Sequence, residues 1–575
     1  MPTAQRLAIV FTTSDTGMMV YDTTLDNLFI WNGTAWTSVP DSGDSTNEEV
    51  IFNDNGVLVG DPGLTFNKTT DKLTVATTID ISRGLLNDPT STGVGENTLD
   101  ATTAGAIRNT AIGHNSMYRA TTASNNTAVG FNTMAAVAMT GSNNVAVGAN
   151  SGLGLTTGGS NTAVGSFALN SNATGIGNTA IGASALAANT VSDNTAVGAS
   201  ALDANTSGQS NTALGRSVLG TNITGDNNTG VGFQSLLLAT GSDNTAVGKS
   251  TGVALTTGTG NTAIGSTAGA GIDTGSTNVA VGFAAMNTSG GGILHTGSNN
   301  VAVGNSALFS GNIISGSNNI GIGRDTLRSL STAADNVAIG RSALQFATTG
   351  GGNVAIGANA NTSNLIGTNA VAIGNGALLA NTVDNNVAVG TIALSANTSG
   401  ANNVAVGRSA LAAVVTTNNN TALGFQAGKA TTAGDCTAIG SNALALSTAG
   451  NANTAVGYRA MGNAIVIGGQ NTSVGASAGV SLTSGSSNTF IGENAGSNTS
   501  TGTSCIAIGR EAGGTALTSN ELSIGSPTYW VGTISSASSF YTTATALSTG
   551  VLPVTCGFWR ILINGTARKI AVYAD

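Results

Sequence analysis

Asn161-Thr162-Ala163-Val164-Gly165 is the stretch that decides the fold. The same pentapeptide, Asn-Thr/Val-Ala-Val/Ile-Gly, returns at Asn109 to Gly113, Asn300 to Gly304 and Asn453 to Gly457. Counted by its closing glycine it occurs 26 times between Gly95 and Gly525, about 17 residues apart. The widest intervals are Gly282 to Gly304, 22 residues, and Gly304 to Gly323, 19 residues. The fourth residue is Val, Ile or Leu in every copy, and the third is Ala in 20 of the 26. β-branched residues two apart favour an extended strand with one shared face. The closing glycine permits a bend at positive φ, and Asn turns a chain by local hydrogen bonding. Each copy therefore reads as a short strand between corners.

A second signal follows within a few residues: Ala185-Leu186, Ala201-Leu202, Ala343-Leu344, Ala410-Leu411. It reads as a second strand or second wall of the same coil. A polar turn such as Asn205-Thr-Ser-Gly208 closes the circuit. Two walls and two turns in about 17 residues make one coil of a parallel β-solenoid. Helix pairs are excluded, because two or three glycines per repeat each cost about 1 kcal/mol in a helix. None of the six prolines lies between 90 and 526, as expected where strands have neighbours above and below. Twenty-five rises at ~4.8 Å would give a shaft of roughly 120 Å.

Composition narrows the function. Glycine is 82 of 575 residues, charged residues are 8% and aromatics 4%, against about a quarter charged in an ordinary globular domain. The net charge of −9 gives no basic footprint for nucleic acid. No apolar run is long enough for a membrane helix, and residues 1–6 show no signal-peptide pattern. All four tryptophans, Trp31, Trp36, Trp530 and Trp559, lie near the ends, so the ends are expected to be built differently from the middle. We expect an all-β chain in four parts. An N-terminal β attachment domain spans 1–48, a β connector 49–90, the repeat shaft 91–525, and a C-terminal β cap or tip 526–575.

Within a coil, the sequence suggests that the Thr/Val and Val/Ile columns, Val164 among them, stack inside. The Ala column, with Ala163, then lies on the opposite face. It either fills a narrow coil or, being small, forms a contact column for another subunit; the second reading is the one taken. Asn161 and Gly165 are read as structural corners. Cys436 and Cys505 take the Asn position in coils four apart, about 19 Å along the shaft. That is too far for a disulfide, so both are expected as free buried thiols.

No catalytic, cofactor-binding or metal-binding constellation stands out, and an enzyme is not expected. A fibre depolymerase would need paired carboxylates and a sugar groove, which a shaft poor in acids and aromatics does not offer. Weak candidates for host contact are Trp530, Tyr541 and Trp559 at the C-terminal end, since aromatic faces suit sugar rings. The alternative is that they form the core of a cap. His295, in the 22-residue interval, is read as part of a protruding loop (290–297), either a contact site or an inert bulge. The two halves Gly557 to Ile563 and Lys569 to Tyr573 flank Asn564-Gly565, a hairpin signal.

The repeats resemble the head repeats of trimeric autotransporter adhesins, which carry a similar Asn-x-Ala-Val/Ile-Gly followed by a small residue and Ala-Leu. The resemblance covers about three quarters of the chain and implies a homotrimeric left-handed parallel β-roll. No export signal, coiled-coil stalk or membrane barrel of that family is evident. The segment from Gly17 to Trp36 resembles a small β element of phage tail fibres, and 57–75 resembles the β segment that precedes a fibre shaft. These resemblances imply a bacteriophage tail fibre, virion-bound and extracellular after release. Its N-terminal domain would join other virion proteins, and its tip would meet a host receptor or polysaccharide. The alternative is a bacterial surface adhesin or extracellular filament subunit.

Overall fold

Hydrogen-bond demand explains why the coils stack. A three-residue strand cannot satisfy its own backbone, so each leans on the equivalent strand of the next coil. The computed structural model describes residues 106–288 and 294–526 throughout. It also describes 2–7, 18–25, 27–32, 34–38 and 90–99, and the backbone of the strands between 47 and 82 and after 528. The chain divides into two compact units, Met1–Ala401 and Asn402–Asp575.

In the first unit, β1 (Met19–Asp22), β2 (Asn27–Trp31) and β3 (Trp36–Ser38) form an antiparallel sheet. Asp22 Oδ1 accepts the N–H groups of Thr24 and Leu25, and Asn32 Oδ1 those of Thr34 and Ala35, so each turn is fixed by its own side chain. Trp31 and Trp36 pair across the second hairpin, rings edge to face at 5.7 Å. Four further strands, β4 (Asn47–Asp54), β5 (Val57–Asn67), β6 (Lys72–Val75) and β7 (Ile79–Ser82), make an antiparallel meander. β7 then pairs antiparallel with Thr92–Val94, the first strand of the solenoid. That edge is covered rather than left open, as a stacked-coil fold requires.

From Thr92–Val94 to Val387–Val389 the first unit is a parallel β-solenoid. Register is residue on residue: Thr162 lies beside Val145 and Thr179, Ala163 beside Ala146 and Ala180, Val164 beside Val147 and Ile181. The second unit repeats the design from Val404–Val406 to Leu522–Ser526. Tyr529–Ile534 covers its last strand antiparallel. Thr555–Ile563 and Thr566–Tyr573 pair antiparallel with Ile563 opposite Thr566, as the hairpin signal implies, although Asn564-Gly565 itself lies outside the described residues.

Two expectations are corrected. The Ala-Leu wall is not a second strand. Residues two apart there adopt positive φ, as at Phe167 (58°) and Leu169 (52°), so the wall is a series of turns. Its N–H groups still bond between coils, Phe167 N to Ala149 O and Leu169 N to Ala185 O. A leucine in this conformation costs about 1–2 kcal/mol, which burial of its side chain offsets.

The inside and outside of the strand are also reversed. Ala163 is completely buried, while Thr162 and Val164 are only partly covered, and the other coils follow the same pattern. The reason is volume. The facing wall already sends Leu169, Leu186 and Leu202 inward, all fully buried, so a narrow coil has room for no more than a methyl on the strand side. Ala is therefore the filler of a narrow coil, the alternative set aside in the sequence reading. Phe490 is the exception that shows the trade. It takes the Ala position, and its ring fills space where the two adjoining walls carry Gly479 and Gly496. A Cβ on Gly496 would come within 2.6 Å of that ring.

Candidate interaction face

The corner asparagines form the polar spine of each unit. Asn161 Oδ1 accepts the backbone N–H of Asn178 at 2.9 Å. Its Nδ2 donates to Asn144 Oδ1 and to the turn carbonyl of Gly175, both at 3.0 Å. This one side chain thus links the coil before, the coil after and the turn, and Asn161 is 1% exposed. Gly165 stands at φ 132° beside Gly182 of the next coil. Both residues are corners, as read from the sequence.

A second internal column was missed. Asn172, Asn189, Asn205 and Asn222 are fully buried, and Asn205 Nδ2 donates to Asn189 Oδ1 at 2.7 Å. The signal was present in the spacing. In four coils whose wall carries Leu (Leu169, Leu186, Leu202, Leu219) the residue three further on is Asn, and in three whose wall carries Gly (Gly152, Gly252, Gly269) it is Leu155, Leu255 or Ile272; in other coils Leu236, Leu344 and Leu411 are followed by Ala239, Ala347 and Val414. At Gly152 the two positions compete for one volume, since a Cβ there would meet Leu155 Cδ1 at 2.8 Å.

With Ala inside, the outward face of the strands carries aliphatic columns. Ile181, Ile264 and Ile373 in the first unit are 39%, 42% and 37% exposed, and Leu423 and Ile491 in the second are 49% and 41% exposed. Next to this face runs the column that follows the closing glycine. There Arg216 lies over the Phe233 ring at 5.8 Å, Arg408 over Phe425 at 4.8 Å, and His114 stacks on Phe131 at 5.5 Å. His114 Nε2 also lies 3.6 Å from Glu96 Oε2. Each such pair joins consecutive coils.

His295 is not on a protruding loop. It is fully buried in the wall, paired with Ile272 in a parallel bridge, and so is not available for host contact in this fold. Trp530, Tyr541 and Trp559 belong to strands Tyr529–Ile534, Phe540–Tyr541 and Thr555–Ile563, and their side chains lie outside the described residues. Cys436 and Cys505 are free and buried at the Asn position, and burial raises both thiols above their ordinary pKa. Among the described residues no three His, Cys, Asp or Glu side chains gather where they could hold a metal. No helix among them is long and apolar enough to cross a membrane.

In comparisons with known proteins, no family model matches the chain, and neither does any curated protein or solved structure.

Proposed function

We propose that this chain is a structural fibre protein of a bacteriophage virion, a homotrimer that spaces a host-binding tip from the particle. The observation that carries the fibre reading is the aliphatic column on the outward strand face, repeated once per coil. Covering the exposed part of one Ile per coil is worth about 1 kcal/mol, and the gain accumulates along a unit. A partner must match that period for the gain to be collected, and a second and third copy of the same chain do so without further design. The contact column of the trimer is then Val164, Ile181 and their equivalents, not the alanines. The virion assignment rests on the resemblance of the N-terminal segments to fibre elements, and attachment to other virion proteins is assigned to that end.

The test has two parts. Light scattering on the purified chain should give about three times its mass of 56.0 kDa. Peptide mass spectrometry should find the chain in purified virions at a few copies per particle. A monomer sinks the trimer. Peptides confined to the envelope of uninfected cells replace the viral reading with a bacterial adhesin of the same architecture.

A further inference from the structure

The wall positions above and below His295 are apolar. Equivalent wall positions in the flanking coils are Ile272 and Ile314, and all three side chains are fully buried. The His295 backbone is held on both sides: its N–H donates to Gly271 O at 2.7 Å, and its carbonyl accepts from Asp273 N at 2.9 Å. Its ring makes one bond of consequence. Nδ1 accepts the backbone N–H of Ile314 at 3.1 Å, tying this coil to the next. Only the neutral ring with its proton on Nε2 can make that bond. Nε2 has no hydrogen-bond partner among the described residues. The Asn287 carbonyl lies near enough to favour a proton on the ring without bonding it. The ring edge rests against Gly271, where a Cβ would meet Nε2 at 2.9 Å, and the Thr288 methyl packs at the same place.

We propose that His295 is an acid-sensitive latch: neutral, it fastens its coil to the next through Ile314; protonated, it releases that bond and loosens the wall between 271 and 316. The imidazolium has two N–H groups and no lone pair, so Ile314 N–H would face a donor and a cation would sit unpaired among isoleucines. Among the described residues no carboxylate pairs with the ring. On its own coil the ring lies near Asn287 and Thr288, and on the following coil it meets Ile314, none of them ionisable. On the preceding coil the ionisable group is Asp273, and its carboxylate is engaged by Thr256 Oγ1 at 2.5 Å. Burial lowers the His295 pKa from 6.5 to about 4. A lowered histidine pKa means the fold is unaffected above 6.5 and loses stability as pH falls from there through 4. Opening of this wall should therefore rise by up to tenfold per pH unit across that window, about 300-fold in all.

The test is hydrogen exchange by mass spectrometry on the full chain from pH 7 to pH 4, corrected for intrinsic rates. Three proteins are compared: wild type, His295→Gln and His295→Leu. Wild type should lose protection in peptides covering 271–316 as the solution is acidified, and both variants should keep it. Equal acid loss in all three, or full protection of the wild type at pH 4, overturns the latch. Exchange at the histidine C2 position gives the titration of His295 directly in the wild-type protein, with His114 the only other histidine. A midpoint near 4 supports the latch, and one near 6.5 overturns it even if neither variant folds.

Discussion

At Gly165 the backbone runs at φ 132°, and an added methyl would lie 2.5 Å from the carbonyl oxygen of Gly182. Conformation and space both demand glycine there. Gly165→Ala should destabilise its coil by about 2–4 kcal/mol, read as faster amide exchange between 148 and 182. Asn361 presents the opposite case. It is fully buried in the leucine column between Leu344 and Leu378, and neither polar atom of its side chain has a partner. Its φ of 48° matches the 47° and 51° of those leucines. Asn361→Leu should therefore stabilise the surrounding coils by about 1–3 kcal/mol. Slower exchange between 344 and 378 would show it, and an unchanged or faster rate would count against the packing described.

The Asn column is an element in its own right, and its breaks show what it does. At Cys436 the backbone N–H still finds Asn420 Oδ1 at 3.0 Å, and the thiol reaches the Gly450 carbonyl at 3.5 Å. What a thiol lacks is a good acceptor for the coil that follows. Cys436→Asn should restore that link and add about 1 kcal/mol of stability, seen as a higher midpoint in urea. With burial raising their pKa, Cys436 and Cys505 should resist iodoacetamide at pH 8 in the folded chain and react once it is unfolded. Rapid native labelling would contradict the buried ladder.

For the whole molecule, the outward aliphatic columns set the question of assembly. Ile181→Glu with Ile264→Glu places charges where another chain would pack, while the coil interior, built from Ala, Leu and Asn, is untouched. The pair should reduce the mass in solution to that of one chain with the β circular-dichroism signal retained. If the proposed trimer forms and this variant keeps the mass of three chains, the contact lies elsewhere, and the Arg–aromatic column beside the strands is the next face to substitute.

Repeat length, strand position, glycine corners and the Asn spine follow from the sequence because each is a local demand renewed every coil: a bend, a turn, a ladder bond. The parallel solenoid follows from the same demands, since a three-residue strand must borrow its hydrogen bonds. Which side of that strand faces inward is another matter. Alternation at period two separates Ala163 from Thr162 and Val164, yet it is indifferent to which set is buried. Only the packed coil decides, because the volume left on the strand side depends on what the facing wall inserts. The pairing of Phe490 with Gly479 and Gly496 carried that information in the sequence, but only the fold brings those three residues together. His295 escaped for the same reason. A 22-residue interval says that a coil has residues to spare; it does not say which of them fold back into the wall. That choice was made by the Ile314 N–H and the space above Gly271, neither of which is near His295 until the coils are stacked.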